Sequence, residues 1–331
     1  MNKLNILKHH EWIHSSNEMV VTTRSGRIFG QSSDSQLPKW ETEYHQLIKQ
    51  VLECGDARID RTQVGTRSIF GSTMKFDLTR GKLPTVTSKF VSHKAVLDEL
   101  LWFLRGDTDT RHLSSKIWQG NSSREYLDSI GLEHIPTGCI GPAYGHQWRN
   151  FGGDYWLTDD GQSAIAGPSD SGIDQITELI HMIRTNPTCR RMLVCAWNPL
   201  QQAEMALPPC HMMFQVYVTG DGQLDLLWYQ RSVDLFLGFP YNVTSYSFLA
   251  HLIARKCGLV ARNLIFMGGD IHLYKNHLDQ ARELLTRTIH PDPTVEIDAA
   301  VIDLDWKDIT LNHIVVNGYQ SNKRIPAPMA I

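Results

Sequence analysis

From Trp40 onward, Tyr44, Leu47, Ile48, Val51 and Leu52 recur at helical spacing and Gly55 follows them, which predicts a first helix ending at that glycine. Val96, Leu97, Leu100, Leu101, Phe103 and Leu104 cover one broad face behind the candidate cap Ser92, so a second, buried helix is expected there. Ile173, Ile176, Leu179, Ile180 and Ile183 mark a third, which Pro187 stops. The period then shortens: residues 192–197, 212–219 and 223–230 are rich in Val, Tyr, Phe and Trp and read as strands. Gly220-Asp221-Gly222 between the last two supplies a tight hairpin turn. Helices are predicted again over 243–257, closed by Gly258, and over 273–287, with late strands at 295–302 and 314–316.

No internal repeat and no Pro/Gly-rich linker interrupts this order. Residues 1–38 are polar and irregular and read as an extension, partly disordered, ahead of one continuous domain over 39–331. The expected class is α+β with α/β-type layers, a mixed β-sheet with flanking helices.

Composition narrows the function. Hydrophobic residues at 42% and charged residues at 20% are those of a globular chain, and the net charge of −3 argues against a protein that wraps a long polyanion. Any phosphate is held locally. Six cysteines without a Cys-x-x-Cys pair exclude a zinc ribbon, and the 15 histidines show no ligand spacing, so no metal is expected. Residues 1–14 lack the apolar core and cleavage site of a signal peptide, and no apolar run is long enough to cross a bilayer, so a cytoplasmic setting is expected.

The candidate chemistry starts at Cys210. A cysteine is by default a small buried hydrophobe, but this one follows Pro208-Pro209 and precedes an apolar strand, so two fixed φ angles hold its thiol still. His211 is badly placed as its base, because neighbours on a strand point to opposite faces. Arginines supply the alternative, by stabilising a thiolate: Arg190-Arg191 open one strand, Arg231 ends another, and Arg61 lies in Asp60-Arg61-Thr62. Their placement at strand ends favours convergence on one anion such as a phosphate. Glu99 falls at the edge of its helix's apolar face, where partial desolvation would raise its pKa toward neutrality. Asn242 offers a donor and an acceptor from one amide, and His272 and Tyr274 share a face if their segment is extended.

Met205-Ala206-Leu207-Pro208-Pro209-Cys210-His211 resembles the nucleophile segment of thymidylate synthases. Residues 229–242 and 269–277 resemble that family's nucleotide, folate and sugar segments, and residues 99–106, 141–145, 147–149 and 327–331 match in order, so the likeness runs from about Trp40 to the end. The resemblance implies reductive methylation of dUMP by 5,10-methylenetetrahydrofolate, giving dTMP and dihydrofolate, in an obligate homodimer whose sheets pack at the interface. It implies that Cys210 adds to carbon 6 of the pyrimidine, with Glu99, Tyr144 and Asp234 completing the catalytic set. It assigns dUMP to Arg61, Gln230, Arg231, Ser232, Asp234, Asn242, His272, Tyr274 and His211, with Arg190 and Arg191 reaching the phosphate across the interface. Folate falls to Lys89, Trp118, Asn121, Asp234, Gly238 and the terminal Ile331. Asn242 favours uracil, since the related cytidylate hydroxymethylases carry Asp at the matching position.

The sequence departs from the family pattern at Phe90, where an Arg is common, at Gln119, where an Asp is frequent, and at Asn121, where bacterial members often carry Trp. Two other readings use the same residues: a dUMP hydroxymethylase, in which solvent replaces the hydride donor, and a catalytically idle nucleotide- or RNA-binding regulator. The intact Cys210, Glu99 and Asn242 disfavour the second.

Overall fold

A computed structural model describes residues 37–157, 164–165 and 171–329. The extension expected over 1–38 lies, as far as residue 36, outside the described residues, and so does Ile331. The chain begins with α1 (Lys39–Cys54), the short strand β1 (Asp56–Arg58), β2 (Thr66–Asp77) and α2 (His93–Arg105). Two short helices, α3 (Arg124–Ser129) and α4 (Gly145–Asn150), and a small ribbon of β3 (Trp156–Leu157) and β4 (Ala164–Ile165) lead to α5 (Gln175–Thr185). Then come β5 (Leu193–Cys195), β6 (His211–Val218), β7 (Gln223–Asp234), α6 (Gly238–Lys256) and β8 (Val260–Tyr274). The chain closes with α7 (Leu278–Leu285), β9 (Thr294–Ile297) and β10 (Ile314–Asn317).

Six strands form one mixed sheet in the order β1-β2-β8-β7-β6-β5, as the α+β expectation requires. Only the β7–β8 pairing is parallel, and α6 is its crossover; the remaining pairings are antiparallel. The hairpin between β6 and β7 turns at Gly222, whose φ of 79° lies in the left-handed region that glycine adopts freely.

The local signals behave physically. Ser92 caps α2, its Oγ accepting from Ala95 N at 3.4 Å, and Gly106 ends that helix at φ 80°. Val96, Leu97, Leu100, Leu101, Phe103 and Leu104 are all buried. Inward-facing strand residues Phe214, Leu226, Trp228, Leu264 and Phe266 are fully buried against α6, whose Tyr246 stacks on Trp228 at 5.0 Å. Leu193, Met213, Tyr217, Leu227, Tyr229, Ile265 and Met267 alternate onto the opposite face. There Leu193, Tyr217 and Met267 are exposed.

Several boundaries differ from expectation. The third helix starts at Gln175, capped by Asp174 Oδ1, which accepts from Thr177 N at 3.0 Å; Ile173 instead bonds Phe151 through the backbone and is exposed. The predicted helix over 273–287 begins only at Leu278, because Leu273 and Tyr274 finish β8. The strand expected over 295–302 ends at Ile297 and passes into a 3-10 turn over Ala299–Ile302. β2 and β8, two of the sheet's longest strands, are not predicted as strands. No helix among the described residues is long and apolar enough to cross a membrane.

Candidate active site

A cavity of about 660 Å³ opens where β7 and β8 end together. Their parallel register sets Ser232 opposite Asp270 and Asp234 opposite His272, and the first turn of α6 follows at once, so the strand ends and a helix start converge on one crevice.

Cys210 reaches this cavity from the loop ahead of β6. Its N–H donates to Tyr144 Oη at 2.8 Å, and its carbonyl accepts from Arg231 N at 2.9 Å. Arg231 folds beneath the same loop, donating from Nε to Pro209 O at 2.9 Å and from Nη2 to Pro208 O at 2.8 Å. Burial raises the Cys210 pKa; Arg231, the Tyr144 hydroxyl and Arg61 pull it down, and Asp234 adds to burial. The arginines therefore act in the expected direction without prevailing, and the group rests as a thiol.

His211 turns away, as strand alternation requires. Its Nδ1 lies 3.0 Å from Tyr246 Oη, its ring centroid lies 4.4 Å from that of Tyr144, and burial pushes its pKa down to about 3. It lines no part of the cavity and is brought neither to the thiol as a base nor to the space for a nucleotide. Tyr144, buried at φ 25°, supports the Cys210 backbone from behind.

Glu99 projects from α2 into the cavity. Burial pushes its carboxyl up to about 7, with Asp98 adding and the hydrogen bond from Trp118 opposing. That bond, Trp118 Nε1 to Glu99 Oε1 at 2.7 Å, joins two residues 19 positions apart. A carboxyl poised near neutrality exchanges protons readily in both directions.

Asn242 is oriented by a relay. Trp228 Nε1 donates to Gln230 Oε1 at 3.3 Å, which turns Gln230 Nε2 toward Asn242 Oδ1 at 3.0 Å. Asn242 thus presents its Nδ2 donor and the second lone pair of Oδ1 to the cavity. Gln230 itself is buried and lines none of the cavity, so it stands behind Asn242.

Arg61, Ser232, Arg231, His272 and Tyr274 ring the same space. Asp60 folds the loop that carries Arg61: its Oδ2 accepts from Thr62 N at 3.0 Å and its Oδ1 from Gly65 N at 3.1 Å. Arg190 and Arg191 are exposed between α5 and β5 and do not reach this chain's cavity.

Trp118, Asn121, Asp234 and Gly238 line the same cavity. Asp234 Oδ1 accepts from Phe236 N at 3.0 Å and Leu237 N at 3.1 Å, closing the turn into α6. Lys89 is buried behind that turn; its Nζ donates to Phe236 O and lies 4.1 Å over the Phe236 ring, and burial lowers its pKa to about 8. It braces the turn and does not line the cavity. Phe90, in the place of the family's arginine, is exposed beside Tyr319.

The sequence reading missed Arg58, Ile117, Leu237, Tyr241, Asp270, Arg324 and Met329, all of which line the cavity. Asp270 was within reach, two positions before His272 on a strand. The carboxyl-terminal segment arrives through Arg324, Ala327 and Met329, and Pro328 O lies 2.6 Å from His277 Nε2.

The family model described as thymidylate synthase matches residues 42–331. The thymidylate synthase of Ascaris suum is 43% identical over 294 residues, 88% of this chain and 97% of that protein. That of Herpesvirus ateles is also 43% identical, with 88% and 98% covered, and that of Saccharomyces cerevisiae is 40% identical over 305 residues, again covering 88% and 98%. With Cys210, Glu99 and Asn242 gathered on one cavity, these likenesses establish that the chain belongs to the thymidylate synthase family.

Proposed function

We propose that this chain converts dUMP to dTMP by reductive methylation, with 5,10-methylenetetrahydrofolate as co-substrate and dihydrofolate as the other product. The observation that carries the reading is the meeting of Cys210, Glu99 and Asn242 on one cavity, three groups this chemistry needs in three distinct roles.

In this reading Arg61, Arg231 and Ser232 grip the phosphate, and His272 and Tyr274 take the sugar hydroxyl. The Asn242 amide pairs with uracil, Nδ2 donating to the O4 carbonyl and Oδ1 accepting from N3–H. Cys210 passes its proton to water in the cavity and its sulfur bonds to C6; the ring's C5–C6 pair of electrons moves toward C5 and O4, which makes C5 nucleophilic. Glu99, acting through water, delivers a proton toward O4 and later receives the one leaving C5. Release of Sγ from C6 restores the thiol. The folate supplies the one-carbon unit and the hydride. Its pterin fits between the Trp118 ring and Asp234, where the lack of a side chain at Gly238 leaves room: a Cβ there would stand 3.4 Å from Asp234 Cβ and 3.7 Å from Asn242 Oδ1. Trp118 and the carboxyl-terminal segment then keep water from competing with hydride.

The working unit in this proposal is a homodimer joined through the uncovered sheet face. The apolar residues alternating onto that face, Tyr217 and Met267 among them, support a second copy as the cover. Arg190 and Arg191 then serve the neighbouring subunit's phosphate. The catalytic domain is drawn over 39–331, and its setting is cytoplasmic, in keeping with free thiols at Cys54, Cys189, Cys195, Cys210 and Cys257. Incubation with dUMP and methylenetetrahydrofolate tests the reaction: formation of dTMP with rising dihydrofolate absorbance is expected. Turnover to hydroxymethyl-dUMP without that rise would replace it.

A further inference from the structure

Asp270 lines the cavity, opposite Ser232 on β7 and two residues before His272 on β8, the residues the proposed function assigns to the phosphate and the sugar. Its Oδ2 accepts from Arg58 Nη1 at 2.8 Å, and its Oδ1 lies 3.1 Å from His272 Nδ1. Arg58 ends β1, immediately before the loop that carries Arg61, while Asp270 and His272 share a face of β8. All three line the cavity.

The chemistry of these contacts fixes where the proton sits. The bond from His272, with the charge of Arg58, holds the Asp270 carboxyl below the usual carboxylate range against burial. An ionised carboxylate only accepts hydrogen bonds. Nδ1, which faces that acceptor, therefore carries a hydrogen, and in the imidazole tautomer so fixed the lone pair lies on Nε2. Nε2 has no hydrogen-bond partner among the described residues, although the histidine is largely buried.

We infer that Asp270 is a positioning residue that, clamped by Arg58, holds His272 in the Nδ1–H tautomer, so that Nε2 accepts the proton of the nucleotide's 3′-hydroxyl. The inference rests on the reading that a deoxynucleotide occupies this cavity. The same clamp ties the phosphate loop to the sugar-reading strand, so that both ends of the nucleotide are registered against one carboxylate.

Asp270→Asn keeps the shape and changes the hydrogen-bond pattern. Arg58 claims the single amide oxygen, the NH₂ faces Nδ1, and the ring proton moves to Nε2, a tautomer exchange of the kind that disables catalytic histidines. In ¹⁵N spectra of histidine-labelled full-length protein, His272 should be protonated at Nδ1 in the parent and at Nε2 in the variant. The parent should bind dUMP more tightly than 2′,3′-dideoxyuridine monophosphate, and that preference should shrink about tenfold in the variant. Binding of the dideoxy compound itself should change by less than about threefold. Equal weakening of both nucleotides with the tautomer unchanged would make Asp270 a plain strut and overturn the inference, as would no change in either. Arg58→Met tests the other half without touching the His272 bond: binding of both nucleotides should weaken alike while that of deoxyuridine, which has no phosphate, stays level. Deoxyuridine weakening as much as the nucleotides would overturn the coupling to the phosphate loop. A parent protein that does not distinguish the 3′-hydroxyl would instead refute the nucleotide reading, and the tautomer would stand as a separate result.

Discussion

Trp118 Nε1 donates to Glu99 Oε1 at 2.7 Å, so the ring expected to wall the folate also grips the carboxyl expected to move protons. Folate binding and proton transfer then share a hydrogen bond, and a change at Trp118 alters both. Trp118→Phe removes a bond that favours the ionised carboxylate, so the Glu99 pKa should climb above about 7. In kcat/KM profiles for dUMP, a limb set by the Glu99 carboxyl should move to higher pH. An unmoved limb would assign it to another group.

Glu99 also links stability to pH. Its folded pKa of about 7 lies above its ordinary 4.5, so the folded state holds that proton more tightly than the unfolded chain. The associated stability is complete below about pH 4.5 and is lost as pH rises through about 7. Glu99→Gln carries no such penalty. Its Tm should exceed the parent's by a few degrees at pH 8 and match it near pH 4, while turnover falls by roughly 10²–10⁴-fold. Equal Tm differences at both pH values would mean that the carboxyl titrates normally.

The Cys210 thiol, raised by burial, should react slowly in the absence of nucleotide. Alkylation by iodoacetamide at pH 7 should be slower than that of free cysteine, accelerate as pH rises, and be blocked by dUMP. Cys210→Ser should lower kcat by on the order of 10⁴-fold or more while leaving dUMP binding largely intact, as loss of a covalent nucleophile does elsewhere. Near-normal turnover would remove Cys210 from the mechanism.

The relay from Trp228 through Gln230 to Asn242 fixes which polar atoms Asn242 turns to the cavity, and so to the base in the proposed reaction. Asn242→Asp replaces the Nδ2 donor with an acceptor or, when protonated, a hydroxyl, which suits the amino group of cytosine better than the carbonyl of uracil. The kcat/KM ratio for dUMP over dCMP should fall by about tenfold or more, a cost of the size set by one unpaired hydrogen-bonding group. An unchanged ratio would show that another group reads the base.

How much of this was legible in sequence depended on whether the signal was local. α1 and α2 announced themselves because their buried apolar residues recur at helical spacing, and Cys210 stood out because two prolines precede it. β2 and β8 were invisible for a physical reason. β2 interleaves Arg67, Ser68, Gly71, Ser72, Thr73 and Lys75 with its apolar residues, and in β8 the apolar run Leu264-Ile265-Phe266-Met267 is broken by Gly268, Gly269 and Asp270, so neither shows a clean strand pattern along its length. Tertiary pairing makes them strands. The Glu99–Trp118 and Arg58–Asp270 bonds join separate segments and leave no trace in spacing. Gln230 and His211 fell in matched motifs and Lys89 beside the departing Phe90, yet a family likeness does not say which side of the cavity wall a side chain occupies.

Arg190 and Arg191 are exposed away from their own cavity, while Leu193, Tyr217 and Met267 are exposed on one face of the sheet among the described residues. If a second copy covers that face, the phosphate site is shared, and subunit mixing tests it. Arg191→Ala homodimers lack a phosphate cation at both sites, and Cys210→Ser homodimers lack both nucleophiles. In a mixed dimer, the Arg191→Ala subunit keeps its own Cys210 and receives an intact Arg191 from its neighbour, so one site of two is whole. With free exchange half the dimers are mixed, and activity should recover to about a quarter of the parent's. A mixture whose exchange is verified, for instance by tagged co-purification, yet whose activity is only the sum of the two parents would place Arg191 outside the partner's site.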